Sequence, residues 1–242
     1  MDWQRSCAAV IPCFNEAAAI GTVVSDVKRF LPAVIVVDDG STDGTAALAA
    51  AAGADVVTLK TNSGKGAAFR AGWRRAQELK HDWVLMLDGD GQHAAKDIPR
   101  FFGCADRTGA DLVIGNRMTD AIAIPRVRRF INRWMSRRLS RITGVEIPDS
   151  QCGFRLAHLE TLLRLPIAAD RFEIESDMLV AFLEAGRRVD FVPVQTIYHQ
   201  RTSKIHPFTD TWRWFRWARA RRQPRRQQDA FPPAAPETSF VE

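Results

Sequence analysis

The chain has 242 residues, of which 46% are hydrophobic and 26% charged, with a net charge of +6. That balance excludes a disordered segment, a coiled coil and a disulfide miniprotein, and it suits one sizeable domain with or without an appendage. The charge is uneven: residues 126–141 hold seven Arg and no acid, residues 201–226 carry +8, and the remainder sums to −9. Two basic patches on an acidic body point to phosphate, nucleic acid or an anionic membrane face as partner.

Strand and helix patterns alternate from the start. AAVIP (8–12) is a short buried strand, followed by a helical stretch over 15–30. AVIVVDD (33–39) has the β-branched run of a parallel strand covered on both faces. In STDGT, the side chain of Ser41, Thr42 or Asp43 can cap a helix over 45–52, with Asp43 the favoured one. Strands are expected at 54–60, 83–90 and 111–117, with helices over 66–79 and near 95–106 between them. This β-α-β rhythm predicts an α/β fold with a mostly parallel sheet and flanking helices.

Beyond residue 117 the rhythm changes. Val127, Phe130, Ile131, Trp134, Leu139 and Ile142 follow helical spacing, so 126–142 is predicted to be an amphipathic helix with its Arg residues on the other side. A helix over 174–186 and a strand over 188–194 follow. The predicted organisation is a main domain over 1–206, a basic aromatic amphipathic helix over 207–222 and a disordered, Pro-rich tail over 223–242. Cys7, Cys13, Cys104 and Cys152 form no CxxC pair, which suits a reduced cytoplasmic setting. Pro12 and Glu16 interrupt the N-terminal apolar run, which does not read as a secretory leader, and no stretch of about eighteen apolar residues is present. The expected location is cytoplasmic, free or peripheral on the membrane face.

In open α/β sheets, ligands bind at the carboxyl ends of the strands. Asn15 and Glu16 follow the first strand, Asp38 and Asp39 end the second, and Asp88 and Asp90 end the fourth. Asp88-Gly89-Asp90 places two hard oxygen donors close together, a pattern suited to Mg²⁺ or Mn²⁺ shared with a diphosphate. Gln92 and His93 add two polar groups beside it. Asp149, Glu173 and Glu175 are candidate general bases, although for the two glutamates a favourable place at a helix start is the simpler explanation.

The motifs VIPCFNE, VDDGSTDGT, NSGKG, DGDGQH, VIGNR and DSQCGFR, in this order over residues 7–200, resemble family 2 glycosyltransferases. The likeness is greatest to the polyprenol-phosphate (dolichol-phosphate) mannosyl- and glucosyltransferases. The resemblance implies a GT-A fold, a GDP- or UDP-sugar donor, a divalent cation and inversion at the anomeric carbon. It places Pro12, Asn15 and Glu16 in the nucleoside pocket, Asp39 on a base N–H, and Lys65 near the donor phosphates. Asp88, Asp90 and Gln92 fall on the metal and diphosphate cluster. Arg117 and Arg133 match arginines that hold phosphate in catalysis, and Arg155 one near the active-site floor. Arg155, Ser203 and Lys204 join Arg117 and Arg133 as contacts for an acceptor phosphate.

The expected function is hexose transfer to a polyprenol phosphate at the membrane surface, with the chain peripheral or attached to an integral partner. The alternatives are a saccharide or other hydroxyl acceptor, or a non-catalytic nucleotide- or membrane-binding relative. Trp212, Trp214, Phe215 and Trp217, interleaved with Arg, suit a headgroup region or packing on the domain. Single-stranded nucleic acid would also accept that pattern, but the strand-end acids make it a poor partner.

Overall fold

The computed structural model describes residues 1–119, 126–171 and 173–197, together with positions 214, 216, 217 and 219. The chain divides into two units, Met1–Ile205 and His206–Glu242. In the second unit the four described positions are helical, and the Trp214 and Trp217 rings lie 6.1 Å apart. The rest of the expected 207–222 helix, and the 223–242 tail, lie outside the described residues.

In the first unit the described strands form a seven-stranded sheet. They are β1 (Cys7–Cys13), β2 (Val34–Asp38), β3 (Asp55–Thr58), β4 (Trp83–Met86), β5 (Leu112–Asn116), β6 (Arg155–His158) and β7 (Val189–Pro193). The order is β3-β2-β1-β4-β6-β5-β7. The pairs β1–β2, β1–β4, β2–β3 and β5–β7 are parallel, while β6 runs antiparallel to both β4 and β5. The expected α/β class and mostly parallel sheet are therefore present. β2 is buried along its whole length, as its β-branched run required.

The helices are α1 (Trp3–Ser6), α2 (Ile20–Lys28), α3 (Thr45–Ala51), α4 (Lys65–Glu78), α5 (Ile98–Thr108), α6 (Arg126–Thr143), α7 (Leu159–Arg164) and α8 (Ile174–Glu184). Three of these elements, α1, β6 and α7, were not expected. The helix predicted from residue 15 starts only at Ile20, because Asn15 sits at φ 54° and the N–H groups of residues 15–17 bond to side chains of the next loop.

The predicted face of α6 is also corrected. Its buried residues are Asn132, Met135, Ser136 and Leu139, whereas Val127 is 70% and Phe130 72% exposed. Ser136 is what turns this face inward, since its hydroxyl accepts the Ser150 N–H and donates to the Ser150 hydroxyl.

β1 lies at the switch point of the sheet, with β2 on one side and β4 on the other. The carboxyl ends of β1, β2, β4 and β5 thus share one edge. Because β6 is reversed, its amino end reaches that same edge and brings residues 149–154 with it.

The helix α4 presses on this centre through Gly72, where a methyl group would collide with Val10 and meet Val37 Cγ2 at 3.1 Å. Gly→Ala in a helix gains about 1 kcal/mol of propensity, whereas overpacking costs about 1–3 kcal/mol. Val10 and Val37 are stiff and buried on central strands, so the clash wins. Gly72→Ala is expected to lower the urea midpoint, at a net loss of about 1 kcal/mol or more; an unchanged midpoint would show that α4 can ride up without loss.

Candidate active site

Two loops at the carboxyl edge are bolted together. The Asn15, Glu16 and Ala17 N–H groups donate to Ser41 Oγ, Thr45 Oγ1 and Asp43 Oδ2, and the Thr42 N–H donates to Asn15 Oδ1. Asp43 also accepts the Thr45 N–H, the capping role expected of it. Its carboxyl is held below the usual range, chiefly by the Thr45 hydroxyl. Pro12 sits in β1 opposite Val37, next to this pair of loops.

The buried Asp39 uses both oxygens to hold the NSGKG loop, accepting the Ser63 N–H at 2.7 Å and the Gly64 N–H at 2.8 Å. A base N–H would have to share these oxygens. The loop glycines serve close packing: a methyl at Gly64 or Gly66 would run into the Asp170 or Ala169 carbonyl, and the Gly66 N–H donates to the Asp170 carbonyl at 2.8 Å.

This packing aims Lys65, the first residue of α4, inward. Its ammonium lies 2.5 Å from Asp88 Oδ1 and 2.5 Å from Glu175 Oε1. Burial alone would lower the Lys65 pKa, but the two carboxylates override it and push it up. Burial would likewise raise Asp88; the Lys65 charge and a contact from His93 Nε2 at 3.4 Å hold it far below the carboxylate range. Gly153 leaves room for Asp88, since a methyl there would sit 2.7 Å from Asp88 Oδ2.

Asp90 Oδ1 accepts the Gln92 N–H, and the Gln92 carbonyl accepts the Ile197 N–H at 2.9 Å. The chain after β7 therefore returns to the DGDGQH loop. Ser203 and Lys204 lie outside the described residues.

The remaining predicted groups divide sharply. Arg117 makes a two-pronged bond to Asp149, Nε to Oδ2 at 2.8 Å and Nη2 to Oδ1 at 2.9 Å. Asp149 is fully buried, and the Arg117 guanidinium overrides burial to keep its carboxyl low. A candidate base is thus a fixed anion beside a cation. Arg155 is 1% exposed and donates to the carbonyls of Cys152, Glu175 and Ser150 at 2.8, 2.5 and 2.9 Å. That corrects its assignment to an acceptor phosphate: it braces the site from within. Arg133 is exposed on α6, and no described hydrogen bond or ion pair joins it to this cluster. Glu173 precedes α8, as the helix-start explanation held, but Glu175 faces the site.

A family model for glycosyl transferase family 2 matches residues 8–163. The chain belongs to this family. The glycosyltransferase is 37% identical over 193 residues to the glycosyltransferase AglJ of Haloferax volcanii, covering 78% of this chain and 62% of that one. It is 31% identical over 199 residues to the undecaprenyl-phosphate mannosyltransferase of Micrococcus luteus, covering 76% and 81%. It is 33% identical over 171 residues to the polyprenol monophosphomannose synthase of Mycolicibacterium smegmatis, covering 66% and 64%. The matched region is thus less than two thirds of the length of two of these relatives. A solved glucosyl-3-phosphoglycerate synthase from Mycobacterium tuberculosis, in complex with Mn²⁺, UDP and phosphoglyceric acid, has a TM-score of 0.69 at 22% identity over 89% of this chain and 76% of that one. That likeness confirms the GT-A fold.

Sequence reasoning underrated Glu175 and missed Gly153 and Gln151 in this glycosyltransferase. Gln151 Nε2 donates to Ser150 and Ser176, tying the DSQCGFR loop to α8. The available signal for Glu175 was its place in the first turn of a helix whose next residues, through Phe182, are all buried.

The Arg117–Asp149 pair yields a pH-dependent prediction. Breaking a buried pair costs about 3 kcal/mol, so Asp149→Asn should destabilise the glycosyltransferase at neutral pH. The folded Asp149 pKa is depressed, so the charged form contributes fully above the unfolded value of about 3.9. The gap between wild type and Asp149→Asn in urea unfolding should be constant from pH 7 to 5 and narrow as pH falls below about 4. A gap that widens in acid would contradict the assignment.

Proposed function

We propose that the chain transfers a hexose, with inversion, from a GDP-mannose- or UDP-glucose-type donor to a polyprenol phosphate at a membrane surface. The observation that carries this reading is the state of two candidate bases, the buried carboxylates of Asp149 and Glu175. Asp149 is bonded to Arg117 and Glu175 to Lys65, so each faces a cation instead of standing ready to take a proton. A hydroxyl acceptor needs a general base; a phosphate is already ionised and needs none. The printed names of the Micrococcus and Mycolicibacterium relatives agree with a polyprenol-phosphate acceptor. Among the described residues no helix is long and apolar enough to cross a membrane.

The donor set suits a divalent cation. Asp88 and Asp90 are hard oxygen donors and Gln92 adds an amide, while no group of three His, Cys, Asp or Glu among the described residues could hold a metal alone. The remaining positions would fall to water and to the diphosphate of the donor. Bound there, the cation would neutralise the leaving diphosphate. Lys65 already sits on Asp88, so a cation entering without the diphosphate would meet an ammonium group; with it, the added anionic charge gives Lys65 a new partner. Cation and nucleotide are therefore expected to bind together. In this reading Asp39 and the Asn15–Glu16 turn border the nucleoside, and Arg117, with Ser203 and Lys204 from the segment after β7, meets the acceptor phosphate.

The test is transfer from radiolabelled GDP-mannose and UDP-glucose to polyprenol phosphate and, in parallel, to the free polyprenol. Product should form on the phosphate alone, and Asp90→Ala should reduce the rate about 100-fold or more without changing the melting temperature. Equal transfer to the alcohol would reject the base-free reading.

A further inference from the structure

We propose that the outward face of α6 is a docking surface for an anionic lipid bilayer, a reading that rests on the lipid acceptor above and gives it a location. The helix is 18 residues long and its buried side is Asn132, Met135, Ser136 and Leu139. At about 100° per residue, the stripe opposite that side runs through Phe130, Trp134, Arg137 and Arg141, with Val127 at its start. Val127 and Phe130 are 70% and 72% exposed, and Arg133, Arg137 and Arg141 are exposed as well. Trp134 is half-buried, with the Arg138 guanidinium 5.9 Å from its ring centre.

Isolated exposed apolar residues are ordinary. Here two of them stand within one turn of each other, beside a tryptophan, on a helix with seven Arg and no acid over 126–141. A merely solvated face gains nothing from Val and Phe. A nucleic acid would engage the arginines and leave Val127 without a partner. A bilayer of anionic lipid satisfies both, with the apolar groups at the acyl boundary and the guanidinium groups among the headgroups.

The opposite side of the same helix leads to the site. Ser136 is bonded to Ser150 at 2.9 and 3.1 Å, and Ser150 follows Asp149, which holds Arg117. A bilayer on the outer stripe would thus lie roughly one helix diameter, about 10–12 Å, from the loop that positions Arg117. That is within reach of a phosphate carried at the end of a lipid.

Sedimentation of the full chain with phosphatidylcholine vesicles, with and without a quarter of phosphatidylglycerol, tests the surface. Wild type should prefer the anionic vesicles. Arg137→Gln/Arg141→Gln should weaken that binding about 30-fold at low salt, and Val127→Ser/Phe130→Ser should remove the part that survives high salt. The Val127→Ser/Phe130→Ser chain should keep its melting temperature and its transfer to a short, water-soluble prenyl phosphate, while losing transfer to long-chain polyprenol phosphate in vesicles. Wild-type binding by both variants, or no preference for anionic vesicles, would overturn the proposal. So would equally tight binding to duplex DNA that responds only to the arginine changes. Variant-sensitive vesicle binding without transfer to any prenyl phosphate would uphold the surface and reject the acceptor alone.

Discussion

The site is organised around one ammonium group held between two carboxylates. Lys65 bridges Asp88, just past the end of β4, and Glu175, in the first turn of α8, and so ties three segments together at the carboxyl edge of the sheet. Burying these charges is unfavourable unless each is paired and hydrogen-bonded. The surrounding sequence supplies that support. Gly64 and Gly66 let the start of α4 close on residues 169–170, Gly153 leaves space for Asp88, and Arg155 holds the Glu175 carbonyl from beneath. One oxygen of Glu175 is buried without a hydrogen-bond partner among the described residues.

The same edge separates two kinds of arginine. Arg155 is an internal brace whose donors point at carbonyl groups, and burial pulls its pKa down. Arg117 is locked by a buried anion yet remains at the rim, 14% exposed, where a fixed guanidinium can face a phosphate. Cys152, between Asp149 and Gly153, is a buried thiol pushed up to about 11 by that burial, so it is no nucleophile at neutral pH. The chemistry of the proposed transfer is positioning and charge stabilisation, with no proton to be taken from an ionised acceptor phosphate.

Much of this was legible in the residues. The β-branched run of β2 read as a buried parallel strand, the segments of β1 and β5 read as strands, and the acids at the ends of β2 and β4 fell where open α/β sheets bind ligands. The strand β6 was not legible, because RLAH has a charged residue at one end, a histidine at the other and no β-branched residue. Only its pairing with β4 and β5 makes it a strand. On α6, the exposed Val127 and Phe130 on the face opposite the core misled the periodicity, since an exposed apolar stripe has the same spacing as a core stripe. For Asp39 and Arg155, residue type showed that a polar partner was needed, but only the fold showed that backbone groups supply it. Glu175 was hidden by a rule that is usually right, the favourable place of acids in a first helical turn.

The measurement that bears most directly on the Lys65 cluster is calorimetric titration of Mn²⁺ into the protein alone and in the presence of GDP or UDP. Lys65 occupies Asp88 in the free site, so Mn²⁺ should bind weakly by itself and about tenfold or more tightly once one of the two nucleotides is present, a coupling of about 1.4 kcal/mol or more. Lys65→Met should narrow that difference by strengthening the binding of Mn²⁺ alone. Tight Mn²⁺ binding to the nucleotide-free protein, unchanged by either nucleotide, would contradict the account.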